Sequence, residues 1–195
     1  MITFFDTETT GLPDFNKRAS DPSQPHIVQF AAITVDHNGK ELVSHNLIVR
    51  PDGWGIPVEA TRVHGITNEF ARENGVPEED VAKIILSLFT GADRVVAHNV
   101  TFDKFIARIA LRRFGLLTDA MALWWSGLPT VCTMRATTNI CRIPSPRFEG
   151  EYKWPKLSEA YEFAFGEKLE GAHDALVDVR ACRRIYDWLQ GEAVS

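Results

Sequence analysis

The sequence predicts an α/β fold on a central mixed sheet of about five strands flanked by helices. Three observations carry this. The apolar runs Ile27–Val35 and Glu41–Val49 flank His37-Asn38-Gly39-Lys40, and Asn-Gly is a strong hairpin-turn signal. Downstream, helical spacing of apolar residues alternates with short strand-like runs. The composition, 45% apolar and 24% charged over 195 residues, suits one globular unit with a full core, so 1–195 is expected to be a single domain.

In chain order, residues 2–8 read as a strand ending in Thr/Gly/Leu/Pro turn chemistry, and residues 13–25 as an exposed loop rich in Pro, Asp, Ser, Asn and Lys. With the hairpin, this gives three early strands, expected to be antiparallel. Residues 51–77 carry four glycines and three prolines and read as irregular. A helix follows from Pro77, with Val81, Ile84, Ile85 and Leu88 on one face and Gly91 closing it. Arg94–His98 is a short strand. Thr101–Phe114 is a helix capped by Thr101 and stopped by Gly115. Thr130–Thr133 is another short strand, and 142–156 a second Pro-rich loop. Helices at Leu157–Phe165, ended by Gly166, and Ala175–Leu189 complete the chain. No repeat or linker divides it.

Several function classes are excluded or disfavoured. Three cysteines with no Cys-x-x-Cys pair indicate neither a disulfide framework nor a zinc ribbon. The expectation is a reducing, intracellular (cytoplasmic) setting. No apolar run approaches ~18 residues, so no membrane span is expected, and the start MITFFDTET does not read as a secretory signal. A net charge of −5 argues against a protein held to nucleic acid by bulk charge. It leaves room for an enzyme whose acidic site is offset by cations.

Three carboxylate positions stand out. Alternation puts Ile2, Phe4, Asp6 and Glu8 on one strand face, two apolar positions followed by two acids. Alone, this also fits a strand running into solvent. Asp103 lies beside the apolar stripe Ala107, Ala110, Phe114, and also fits a first-turn acid favoured by the helix dipole. Asp178 stands inside the stripe Ala175, Cys182, Ile185, Leu189, with no basic residue at 174, 175, 181 or 182 to pair it. A buried carboxylate costs several kcal/mol unless a cation or a distant Arg satisfies it. Converged, these acids would repel and need cations. Hard oxygen ligands favour Mg²⁺ or Mn²⁺. Two such ions ~3.5–4 Å apart suit phosphodiester cleavage. His173, just before the last helix, has the titration range of a general base, though a lone His there is more often a surface residue.

These residues fall into three segments: Phe5-Asp6-Thr7-Glu8-Thr9-Thr10-Gly11-Leu12, Ala97-His98-Asn99-Val100-Thr101-Phe102-Asp103, and Ala172-His173-Asp174-Ala175-Leu176-Val177-Asp178. With His64-Gly65-Ile66-Thr67 between the first two, the chain resembles the DEDDh exonucleases from residue 2 to about 188. That group includes the proofreading subunit of bacterial replicative polymerase. The resemblance implies a ribonuclease H-like fold and 3′→5′ hydrolysis releasing nucleoside 5′-monophosphates. It implies that Asp6, Glu8 and Asp178 hold two divalent cations, that Asp103 completes the second one's surroundings, and that His173 is the base. It further implies terminal-nucleotide contacts from the amides of Thr9 and Gly11 and a wedge from Leu12. Phe102 would stack on a base or pack in the core, and His64 would line the pocket or be a structural histidine.

The expected substrate is the 3′ end of single-stranded or frayed DNA. The alternatives are RNA trimming by the same chemistry and, less expected with all five residues present, a non-catalytic nucleic-acid-binding module. With no long segment after the last helix, a free-standing nuclease is expected over a polymerase-bound one. Loop 142–156 carries four basic and two acidic residues with Phe148, Tyr152 and Trp154, so Lys153, Trp154 and Lys156 are candidate contacts to a single strand.

Overall fold

The computed structural model describes residues 1–192. Five strands form one sheet in the order β3-β2-β1-β4-β5: β1 (Ile2–Thr9), β2 (Ile27–Val35), β3 (Glu41–Ile48), β4 (Arg94–Ala97) and β5 (Thr130–Cys132). The first three pair antiparallel and β4 and β5 join in parallel, so the expected mixed sheet is observed. The Asn38-Gly39 turn closes as its sequence requires. Gly39 takes φ 79°, and the Asp36 carboxylate accepts the N–H groups of Asn38 and Lys40 at 2.9 Å each.

Both sheet faces are covered, which is why all nine residues of β2 are buried. On one face Phe5, Phe30, Val95 and Ala97 pack against α3 (Glu78–Thr90) and α4 (Val100–Arg113) through Val81, Ile85, Phe89, Ile106 and Ala110. On the other, Phe4, Ala31, Ile33 and Val96 pack against Ala175, Val179, Cys182 and Tyr186 of α8 (Ala175–Glu192). β3 and β5 are the edge strands, and β3 exposes Glu41, Ser44 and Asn46 along with Leu42 and Val43. Among the described residues no helix is long and apolar enough to cross a membrane, and all three cysteines are free.

The segment 51–77 is not irregular. It holds two seven-residue helices, α1 (Val58–His64) and α2 (Asn68–Asn74), whose caps are the residues that look like breakers. Pro57 precedes α1, Gly65 ends it at φ 76°, Thr67 caps α2 through the Phe70 N–H, and Gly75 ends it. Each buries one alanine, Ala60 or Ala71, too little for a periodic signal. A 3₁₀ turn at Asp119–Met121, α5 (Ala122–Gly127) and α6 (Thr133–Cys141) were also not expected. α6 is rich in threonine, a weak helix former; Thr137 and Thr138 bond back to carbonyls one turn earlier. α4 starts at Val100, so Thr101 is not its cap. Asn99 precedes it in the left-handed region at φ 76°, which Asn tolerates better than most residues. α7 (Leu157–Phe165) ends at Gly166 as expected.

Gly75 fastens this helical arm to the sheet. The neighbouring Val76 N–H donates to Ile48 O, and Arg50 N–H donates to Val76 O. A Cβ at residue 75 would lie closer than 3.0 Å to the Ala71 carbonyl oxygen and to the backbone N and Cα of Arg50. Gly75→Ala is therefore expected to cost about 1–3 kcal/mol. An unchanged urea midpoint would show that the arm yields freely.

Candidate active site

The site forms where β1 outruns its neighbour. β1 pairs with β4 only over Ile2, Thr3 and Phe4, so its acidic end stands at the rim of the sheet. Alternation then divides the labour. Phe4, and with it Asp6 and Glu8, face the α8 side, whereas Phe5 and Thr7 face α4.

Each remaining group arrives by a separate tether. Asp103, buried in the first turn of α4, accepts the Thr7 N–H at 3.0 Å and the Thr7 hydroxyl at 2.8 Å on one oxygen. Asp178, buried in the first turn of α8, accepts the His173 N–H at 3.1 Å on Oδ2, while its Oδ1 is buried with no hydrogen-bond partner among the described residues. The start of α8 is fixed by Asp174, whose carboxylate accepts the N–H groups of Leu176 and Val177 at 2.9 and 3.3 Å. Gln29, the residue paired with Glu8 across β1–β2, accepts the Ala175 N–H at 3.2 Å and donates to Asn46 at 2.8 Å. His173 sits exposed between these anchors at φ 71°, a left-handed conformation unusual outside glycine.

Donor atoms of Glu8, His173 and Asp178 lie within 4.8 Å of one another. Asp6 and Asp103 fall outside that trio but share its field. Desolvation in the cleft, then charge on Asp103, Asp178 and Glu8, holds the Asp6 pKa well above the ordinary carboxylate value. Desolvation, with Asp178 and Asp103 adding to it, pushes Glu8 up to about 8. Burial raises Asp103 to about 7 despite the lowering effect of the Thr7 bonds. It raises Asp178 to about 6 against the opposing His173 N–H. Four acids are thus held together at a cost that cations would relieve.

Beside the acids lies a cleft of about 310 Å³ lined by Glu8, Thr9, Gly11, Leu12, His64 and Phe102. All five residues expected around a terminal nucleotide are in its walls. Leu12 is 87% exposed and Phe102 half-buried, both able to meet an inserted base. The Thr9 hydroxyl bonds Gly11 O at 2.8 Å and shapes the turn. His64 accepts the Ile66 N–H on Nδ1 at 3.1 Å, and among the described residues its buried Nε2 has no hydrogen bond of ordinary geometry. Burial keeps its pKa low, the Thr9 backbone opposes this, and nearby His173 lowers it further.

Thr7, Asp174 and Gln29 escaped the sequence reading. Gln29 had left a signal, one amide in the otherwise apolar run Ile27–Ala32. His98, in the second motif, ties β4 to the chain before α7 through Thr133 Oγ1 and Pro155 O, at 3.0 Å each. In loop 142–156, Lys153 is ion-paired with Glu159 and Arg135 lies 5.8 Å from the Trp154 ring centroid. Lys156 makes no ion pair within 4.0 Å among the described residues, and Trp154 stays 61% exposed.

Comparison with known proteins identifies the family of the chain. The RNase T family model, described as exonuclease, matches residues 3–186. The uncharacterized exonuclease CP81 of Escherichia phage 186 is 33% identical over 187 residues, covering 95% of this chain and 86% of CP81. The zinc-bound form of the E. coli exonuclease I complex with single-stranded DNA superposes with a TM-score of 0.72 at 25% identity, covering 98% of this chain. The E. coli exonuclease I complex with a dA16 oligonucleotide gives a TM-score of 0.71 at 25% identity over 97% of this chain. This chain spans about 40% of the length of those exonuclease I structures. The sheet topology thus has exonuclease I, a ribonuclease H-like protein, as its structural neighbour. A family match along nearly the whole chain, with a relative one-third identical, establishes that this protein belongs to the RNase T exonuclease family and is a nuclease.

Proposed function

We propose that this protein is a divalent-metal-dependent 3′→5′ exonuclease of the DEDDh type, acting on single-stranded or frayed DNA as one domain. The observation that carries the reading is the convergence of Asp6, Glu8, Asp103 and Asp178 at one end of β1 with His173 beside Glu8 and Asp178. The orphaned Asp178 Oδ1 and the raised carboxylate pKa values fit a cation site, and an oxygen-rich donor set suits Mg²⁺ or Mn²⁺. Asp6, Glu8 and Asp178 would hold the ions, with Asp103 completing the second one's surroundings. When bound, such ions supply charge stabilisation to the phosphate and its leaving oxygen and ease deprotonation of water.

The chain's own groups do the rest. Leu12 and Phe102 grip the terminal base, and the Thr9 and Gly11 amides hold its sugar-phosphate. His64 closes the wall of that cleft. His173 takes the proton of the attacking water. The new P–O bond forms as the bond to the upstream 3′ oxygen breaks, releasing a nucleoside 5′-monophosphate and leaving a 3′-hydroxyl. DNA is favoured over RNA because the exonuclease I neighbours at 25% identity hold single-stranded DNA and a dA16 oligonucleotide.

The test is hydrolysis of 5′-labelled and 3′-labelled single strands, DNA and RNA, in Mg²⁺, Mn²⁺ or EDTA. A 5′-labelled DNA should shorten stepwise with either ion and stay intact in EDTA. Cleavage in EDTA, or mononucleotides released first from the 5′ end, would refute the reading. Asp6→Asn should abolish turnover in a folded chain, and His173→Ala should lower kcat by roughly 10²–10⁴. Full activity in His173→Ala would remove that residue from the chemistry.

Stability should carry the same signature. Glu8, Asp103 and Asp178 have pKa values near 8, 7 and 6 when folded, against 4.5, 3.8 and 3.8 for the ordinary side chains. The folded chain therefore binds more protons between about pH 4 and pH 8, and its stability falls as pH rises through that window. In EDTA, Tm is expected to drop from pH 5 to pH 8, and Mn²⁺ should raise it more at pH 8 than at pH 5. Glu8→Gln should flatten the drop. A Tm independent of pH and metal would contradict the acid cluster as drawn.

A further inference from the structure

The two elements that wall the terminal cleft continue past it. Gly11 and Leu12 line the cleft, and three residues later Phe15 lines a groove. Phe102 lines the cleft, and three residues later Phe105 lines the same groove. The groove comprises adjoining hollows of about 840 and 320 Å³ that share Phe15, Phe105 and Arg108. Phe15, 56% exposed, stacks on Phe105 with centroids 4.8 Å apart and planes 25° from parallel.

The groove is basic in a chain of net charge −5. Lys17 and Arg18 stand on the loop wall, and Lys104, Arg108 and Arg112 on α4, against the single carboxylate Asp119. Asp119 pairs with Arg112 at 2.7 Å. Among the described residues, none of Lys17, Arg18, Lys104 and Arg108 has a carboxylate partner within 4.0 Å, and Arg108 Nε is buried with no hydrogen-bond partner. Burial, with Arg108 beside it, keeps the Lys104 pKa low. Lys104, Arg108 and Arg112 are each four residues apart, a stripe with one cation per helical turn, about 6 Å per step, leading away from Asp103. Five cations with one carboxylate among them, beside a stacked pair whose Phe15 is exposed, match a single strand's spaced phosphates and stacking bases. A protein partner of mixed charge would leave the row uncompensated.

We propose that the groove between loop 13–25 and α4 carries the single strand upstream of the end being hydrolysed, its phosphates on Lys17, Arg18, Lys104 and Arg108 and a base on Phe15. This rests on the exonuclease reading and adds a track to it. The strand leaves the cleft over Phe102 and Leu12 and enters along α4.

Two double reversals test it, Lys17→Glu/Arg18→Glu on the loop and Lys104→Glu/Arg108→Glu on the helix, with Phe15→Ala. Binding of a fluorescein-labelled 20-nucleotide strand is followed by anisotropy in Ca²⁺ over a salt series. Each double variant should bind about tenfold or more weakly, and the slope of log Kd against log salt should fall by about 1.4, the loss of two phosphate contacts. In Mg²⁺, the preference in kcat/KM for the 20-mer over a dinucleotide should collapse. A dinucleotide's one phosphodiester is the scissile bond, so it leaves no upstream phosphate for the groove. Unchanged affinity, slope and length preference would overturn the proposal. If the helix variant unfolds, the loop variant and Phe15→Ala decide alone. A wild-type protein that hydrolyses nothing would refute the exonuclease reading, while the anisotropy series would still decide the groove.

Discussion

The organising constraint is repulsion. Four carboxylates that would separate in water are held within one another's fields, three with pKa values pushed to about 6, 7 and 8 and the fourth also well above its ordinary value. The rest of the fold can be understood as what resists that separation. Thr7 holds Asp103 with two hydrogen bonds, and those bonds cross from the sheet to α4. Asp174 and Gln29 fix the first turn of α8, and the His173 amide holds Asp178. Beneath them, α4 and α8 clamp the sheet from opposite sides through aliphatic cores, so the acids rest on packing rather than on loops.

Sequence and structure agree most where periodicity is strong. The buried strand Ile27–Val35 and its hairpin, α3 and α8 were legible because each is mostly apolar along at least one face. The site was legible because its residues violate those patterns, Asp178 most clearly, as an acid in a stripe whose neighbours Ala175, Cys182 and Ile185 are all buried. α1 and α2 were hidden because seven residues and one buried alanine apiece give no period, and because Pro57, Gly65 and Gly75 look like disorder when they are caps. α6 was hidden by its threonines. Thr7 and Asp174 left no pattern at all. Their importance lies in hydrogen bonds to groups far away in sequence or to backbone, and no spacing rule reports those.

Charge is also distributed in a way the total conceals. The four carboxylates concentrate at the end of β1, while Lys104 and Arg108 of α4, with no carboxylate within 4.0 Å among the described residues, line the groove. Asp103 and Lys104 are adjacent in sequence, yet the helix turns one into the carboxylate cluster and the other into the basic groove. One helix thus carries a member of the carboxylate cluster and a cation of the groove at successive positions.

The assignment of Asp6 and Glu8 to one face of β1 and Thr7 to the other has a consequence for the life of the chain before it is native. A one-residue slip of β1 against β2 would exchange the faces. Thr7 would point at α8, both acids would turn toward Asp103, and the two halves of the cluster would not meet. On the proposed function, the cluster that hydrolysis needs would therefore assemble only with the native pairing of β1 and β2, so a misregistered chain would lack it.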